Sequence, residues 1–504
     1  MIGNLARIPH EPARTRLIPL TPEAPSLKSR ALRGSIWTLG GHAARNSLRL
    51  VGNLVLAYLL SPDAFGMMAL IQVFINGLNM FSDLGIGHMI IRSDRGENPA
   101  FLNTAWTVQV LRGAVIWVAI ASSASIYADF YDQPLLSGYL PVAGLTVIIT
   151  GFRSTRMFTA SRSLALGRKT VLEVAARAVG VATMVSWAYF VERSVWALII
   201  GSLVSSFTAL VLSHTILPGE RNRFQWDREA GRELIHFGKW IFLGTIFTFL
   251  ALQVDKLILG KLSTVAELGI YSIAMNLTMM PHSVLTSLSG SVVYPVLAQI
   301  HRQRPDDFSA QLTIVRRTQM TVGMIGVIGV TLLAQPFFDL FYPVEYRAAG
   351  HIARFAALPL WFLIINLGAD HAALTLGDTR ARAFSNVAAV IFRVAGSIAA
   401  YEHFGIPGFI VGLALGDLAR QVVIQLALRS RGIHLVAQDV GYTVATASIV
   451  ALGISIPIGL HAVTPVRLDV AQALVAAALL TPLAVSGVRQ VRHARAGKRE
   501  RPTR

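Results

Sequence analysis

Three stripes of polar and charged side chains interrupt otherwise apolar stretches of this 504-residue sequence. His42, Arg45, Arg49 and Asn53 follow one another at intervals of 3, 4 and 4, which puts them on one face of a helix. Neither arginine has an acidic residue one turn away. Two such guanidiniums inside a membrane suit a wet cavity that receives an anion; the other reading is pairing with carboxylates on other helices. Gln72, Asn76, Asn79 and Asp83 repeat the pattern at intervals of 4, 3 and 4. Their amides suit sugar hydroxyls or the cementing of helices, and Asp83 could meet Arg45 or Arg49. Thr245, Thr248 and Asp255 form a third stripe, with Lys256 next to Asp255 but on a different face. Asp83 and Asp255 are the candidates for a coupling cation or a gate. Arg112 and Arg393 stand near mid-helix without a local partner, as further cavity cations, and Arg354 and Asp370 also lack one. Glu173 with Arg177 and Asp417 with Arg420 have the spacing of same-helix ion pairs.

The elements that must position these groups follow from composition. Hydrophobic residues make up 53% of the chain and charged residues 14%, and the mean hydropathy is +0.55. Soluble domains carry about 25% charged residues, so this chain faces lipid. A span needs about 20 mainly apolar residues. Fourteen stretches qualify: 36–60, 65–91, 103–127, 135–152, 170–190, 196–216, 240–262, 268–298, 320–341, 351–376, 383–400, 406–428, 440–460 and 470–488. Stretch 268–298 contains Pro281 and Pro295 and is expected to bend or to lie partly outside the membrane. Of the 45 Lys and Arg, 33 fall in the segments on the N-terminal side of the membrane and 3 in the opposite loops. The net charge of +18 therefore marks a cytoplasmic face, with both termini inside, rather than a nucleic-acid partner. In the inner connection 299–319, Phe308, Leu312 and Val315 are flanked by arginines. That pattern suits an amphipathic helix on the inner leaflet or an extension of the next span.

The chain also repeats itself. Gly34-Ser35-Ile36-Trp37-Thr38-Leu39-Gly40 is answered by Gly238-Lys239-Trp240-Ile241-Phe242-Leu243-Gly244, 204 residues on. Leu60-Ser61-Pro62-Asp63-Ala64-Phe65-Gly66 is answered by Leu262-Ser263-Thr264-Val265-Ala266-Glu267-Leu268-Gly269, 202 residues on at the leucines and 203 at the closing glycines. The expected fold is an all-α polytopic membrane protein of about 14 helices, with two parallel six-helix repeats around a central cavity. Residues 1–35 read as a disordered basic cytoplasmic tail rather than a signal peptide, and 36–216 as the first lobe. Residues 217–239 read as a cytoplasmic linker and 240–428 as the second lobe. Residues 429–488 would add two helices, and 489–504 a second basic tail.

Several chemistries find no support. The sequence has no cysteine, no P-loop, no G-x-S-x-G, and no two of its 13 histidines closer than 19 residues. No enzyme, metal site or cofactor is expected.

The repeated openings, together with Ala57–Gly66, Phe81-Ser82-Asp83-Leu84-Gly85, Val254–Gly260, Leu268–Ala274 and Val293–Leu297, resemble the polysaccharide-biosynthesis flippases. These belong to the multidrug/oligosaccharidyl-lipid/polysaccharide exporter superfamily. The resemblance covers roughly residues 30–430. It implies an inner-membrane protein that moves an undecaprenyl-pyrophosphate-linked oligosaccharide from the cytoplasmic to the periplasmic leaflet. A polysaccharide polymerase and a chain-length regulator are the implied partners. Arg45 and Arg49 would hold the pyrophosphate by charge-assisted hydrogen bonds. Two alternatives remain. A cation-coupled antiporter of the same superfamily would centre on Asp83 or Asp255. A membrane polymerase or glycosyltransferase would need a sizeable outer loop, whereas no outer loop in this parsing exceeds about ten residues.

Overall fold

The computed structural model describes residues 27–163, 166–463, 475–476 and 478–481. Most of the expected fourteenth span, the C-terminal tail and residues 1–26 of the expected N-terminal tail lie outside the described residues. Within them the chain is helical, without a strand. The first half comprises α1 (Leu27–Ala57), α2 (Pro62–Phe81), α3 (Ile86–Arg92), α4 (Pro99–Phe130), α5 (Leu136–Gly151), α6 (Arg156–Arg162), α7 (Leu166–Phe190) and α8 (Val195–Thr215). The second comprises α9 (Arg228–Leu262), α10 (Val265–Thr278), α11 (Met280–Leu288), α12 (Tyr294–Gln303), α13 (Phe308–Phe341), α14 (Ala348–Thr375), α15 (Thr379–Arg429) and α16 (Val436–Val463). Among the described residues, 8 helices are long and apolar enough to cross a membrane, or 9 if α5 and α6, bent by 55°, count as one span. Exposed apolar side chains such as Leu111, Val115, Val118 and Ile126 run along one side of α4, as a surface turned to lipid requires.

The turns are written in local signals. Pro62 opens α2 with Asp63 in its first turn, and Pro99 opens α4 behind Asn98, whose side chain accepts from the Ala100 and Phe101 amides. Thr264 and Glu267 form a reciprocal capping box on α10. The expected span 268–298 is bent, as α10, α11, a π-helical turn at Ser289–Val293 and α12. The expected spans 383–400 and 406–428 are both in α15, which breaks at Gly405, where φ is +59°.

Two elements differ from expectation, and a third follows one of the two readings the sequence offers. Helix α1 begins at Leu27, inside the expected tail. Residues 228–239 of the expected linker form one continuous helix with the next span, because Asp227 caps α9 by accepting from the Ala230 amide at 2.8 Å. Helix α13 runs unbroken from Phe308, so 308–319 is the extension of a span; Phe308 and Leu312 are buried beneath it.

Packing follows the same order in both halves. Helix α1 lies on α7 and α9 on α15; α4 lies on α5 and α13 on α14. The halves cross at α2 and α10. A Cβ on Gly66 would stand 1.8 Å from the Val265 carbonyl oxygen, and one on Gly269 would stand 1.9 Å from that of Pro62. The two copies of the repeated motif thus touch each other backbone to backbone, reciprocally. At this Arg-poor end, the Tyr346 hydroxyl donates to the Leu60 carbonyl at 2.6 Å and the Tyr58 hydroxyl to that of Phe341 at 3.1 Å. Lys261 pairs with Asp132 at 2.6 Å. At the Arg-rich end, ion pairs among the described residues join the halves only at the start of α9, where Arg95 meets Asp227 at 3.6 Å and Glu229 at 3.0 Å.

Candidate functional site

The first stripe divides. Arg45 is paired: its guanidinium meets Glu173 of α7 at 2.6 Å, so the expectation of two unpaired arginines fails at this position. The cause is the close lie of α1 on α7, which brings a carboxylate to Arg45 from a neighbouring helix. Glu173 in turn forms its ion pair with Arg45 and not with Arg177 of its own helix. Arg49 has no carboxylate partner among the described residues. Its Nη2 lies 3.5 Å from the Asn276 carbonyl of α10, and its Nε is buried without a hydrogen bond. One turn earlier, the Asn46 amide reaches Ser283 of α11 at 3.4 Å. This face of α1 therefore looks across to the second half.

The second stripe leads elsewhere. Asn79 and Asp83 line a cavity of about 490 Å³ inside the first half, walled by α2–α3, α4, α5–α6 and α7. Asp83 does not pair with Arg45 or Arg49; it accepts the Gly85 amide at 2.9 Å, capping the turn into α3. Arg112 lines the same cavity. Its guanidinium is aimed by the Asn79 carbonyl at 2.6 Å and the Ser82 hydroxyl at 3.1 Å. Arg153, Lys169 and Glu173 complete the charged lining with the exposed His88 at the rim. His42, Asn53, Gln72 and Asn76 are half-buried and stand outside that lining.

In the second half, Arg316, Arg393 and Arg420 meet carboxylates. Arg393 pairs with Asp417 and donates to the Ala251 carbonyl of α9, so it is no free cavity cation. Arg420 pairs with Asp370 of α14. The expected same-helix pair Asp417–Arg420 is thereby replaced by two pairs that tie different helices or the two arms of α15. Arg316, 1% exposed, meets Asp439 of α16 at 2.6 Å, and Gln421 and Gln425 donate to the same carboxylate. Asp255 accepts the hydroxyl of fully buried Tyr271 at 2.8 Å. Arg354 donates to the Thr331 carbonyl at 3.2 Å.

Sequence reasoning missed Arg153 and Lys169 because it assigned the basic connection 153–169 to topology alone. The signal lay in position: Arg153 directly follows an apolar stretch, and the α5–α6 bend turns it inward under that stretch. Asp439 was missed because it opens a helix outside the repeat.

A family profile described as polysaccharide biosynthesis protein matches residues 55–350. The chain is 22% identical over 327 residues to the lipopolysaccharide biosynthesis protein WzxC of Escherichia coli (strain K12), a match covering 64% of this chain and 65% of that one. It is 22% identical over 258 residues to the amylovoran biosynthesis protein AmsL of Erwinia amylovora, covering 50% and 64%. The matches thus span just under two thirds of the length of these two relatives. Among solved structures the chain is similar to the lipid II flippase MurJ in an inward closed conformation. The TM-score is 0.68 at 10% identity, over 91% of this chain and 99% of that one. An inward-facing multidrug resistance MATE family transporter of the MOP superfamily gives 0.61 at 12% identity, over 79% and 98%. At such identities the likeness is one of fold.

Proposed function

Because this chain belongs to the polysaccharide biosynthesis protein family, we propose that it is an inner-membrane flippase for a lipid-linked oligosaccharide. Its cargo is an undecaprenyl-pyrophosphate-linked repeat unit of an exopolysaccharide, O-antigen or capsule, moved from the cytoplasmic to the periplasmic leaflet. The Arg-rich end faces the cytoplasm, with both termini there. Residues 36–216 and 240–428 act as two six-helix lobes that rock about the α2–α10 crossing, among 14 spans in all. The single observation that carries the reading is Arg49: a guanidinium on α1, an expected span, without a carboxylate among the described residues and facing the other half. A cation so placed is retained where an anion must pass. The seal made by Tyr346, Tyr58 and Lys261 at the opposite end fits a state open toward the cytoplasm.

The lipid tail stays in the bilayer while the headgroup crosses between the lobes. Moving two negative charges outward across an inside-negative membrane at 100 mV is favourable by about 4–5 kcal/mol, so no nucleotide need be hydrolysed. Arg49→Ala is expected to cut surface polysaccharide at least tenfold while lipid-linked glycan accumulates in the inner leaflet. Normal surface polysaccharide, at wild-type protein level, would contradict the role of Arg49. The antiporter alternative would centre on Asp83 or Asp255, but both carboxylates already accept hydrogen bonds within the protein.

A further inference from the structure

The cavity inside the first half lies off the face that Arg49 presents to the second half, and the transport reading does not use it. We propose that this cavity is a phosphate-binding site, in which Arg112, Arg153 and Lys169 hold a phosphate or pyrophosphate group and Glu173 tempers the affinity. Its volume, about 490 Å³, falls in the range of small-molecule pockets. No ion pair among the described residues joins any of the three cations to a carboxylate. The buried Nε of Arg153 has no hydrogen-bond partner. A buried donor left so costs free energy unless a ligand or water accepts from it. The other two are held in direction, Arg112 by Ser82 and Asn79 and Lys169 by the Ser161 hydroxyl at 2.9 Å.

The carboxylates of the lining are already engaged. Asp83 is spent on the Gly85 amide and Glu173 on Arg45. The second half differs. There Arg316, Arg393 and Arg420 each meet a carboxylate of the chain itself. Arg112, Arg153 and Lys169 have no such partner at ion-pair distance among the described residues, and the lining carboxylates Asp83 and Glu173 balance only part of their charge. Three cations, two of them guanidinium forks, suit the several acceptor oxygens of a phosphate better than a single carboxylate. Glu173 adds a negative charge to the wall, so it lowers affinity and favours release.

The test is isothermal titration of the purified full chain in detergent, first with inorganic pyrophosphate and then with farnesyl pyrophosphate, at one ionic strength. Saturable binding is expected. It weakens about tenfold in Arg153→Gln or Lys169→Gln, and tightens about tenfold in Glu173→Gln, a gain that misfolding cannot produce. Arg431→Gln, a surface change at the same end of the second half, leaves it unaltered. Equal affinity for the two probes identifies a free phosphate as the ligand; tighter farnesyl pyrophosphate identifies a lipid headgroup. Absence of binding by both probes, or an Arg153→Gln chain that binds as the wild type does, overturns the proposal. This readout is binding alone, so its failure is separate from failure of the flippase reading.

Discussion

Arg45 and Arg49 stand one helical turn apart and meet different fates, and the difference is tertiary. Spacing alone identifies which face of α1 carries charge, but it is silent on what lies opposite. Glu173 was assigned to Arg177 because both lie on one helix, where such a pair is worth only about 0.2–0.5 kcal/mol. A guanidinium from a neighbouring helix at 2.6 Å, with both side chains only about 30% exposed, displaces that local option. The same logic governs Arg316 and Asp439. Breaking a buried ion pair from one side leaves an uncompensated charge and costs about 3–5 kcal/mol, whereas replacing both partners with apolar residues is often neutral. Asp439→Ala is therefore expected to lower the thermal unfolding midpoint in detergent sharply, and Arg316→Met with Asp439→Leu to recover most of the loss. A single variant that melts with the wild type would show that this pair holds nothing together.

Helix boundaries were legible where the signal is local. Opening prolines mark α2 and α4, asparagine and threonine caps mark α4 and α10, and Pro281 and Pro295 announce the bent element that α10 to α12 form. The connection 217–239 was not legible, since high charge reads as a loop, while a single capping aspartate extends α9 through half of it. The crossing of α2 and α10 makes a sharper demand. Gly66 and Gly269 have no room for a side chain, because backbone carbonyls of the other helix stand where a Cβ would go. Gly66→Val is expected to push these helices apart and open the Arg-poor end. The chain has no native cysteine, so Ala64→Cys, at a side chain 4% exposed, can report alone. A membrane-impermeant maleimide should label it several-fold faster in the Gly66→Val background; an unchanged rate would mean that the crossing does not hold that end shut.

For the whole molecule, the motif repeated at an offset of 203 residues turned out to be the place where its two copies meet. Self-similarity in the sequence thus pointed to an axis of the fold. It could not reveal that Arg316, Arg393 and Arg420 of the second half each meet a carboxylate while Arg112, Arg153 and Lys169 of the first form no ion pair among the described residues. That asymmetry arises from side chains brought together across α4, α5–α6 and α7, and from Asp439 on a helix beyond the repeat. The central claim is that an anionic headgroup crosses between the halves without nucleotide hydrolysis. The direct measurement is translocation of a prenyl-pyrophosphate-linked glycan in vesicles containing only this protein, with a potential imposed. Movement that outpaces protein-free vesicles, needs no ATP, speeds up as the destination side is made positive, and falls at least tenfold in Arg49→Ala is the predicted result. Glycan that stays in its leaflet at every potential, in vesicles whose protein is folded, would contradict it.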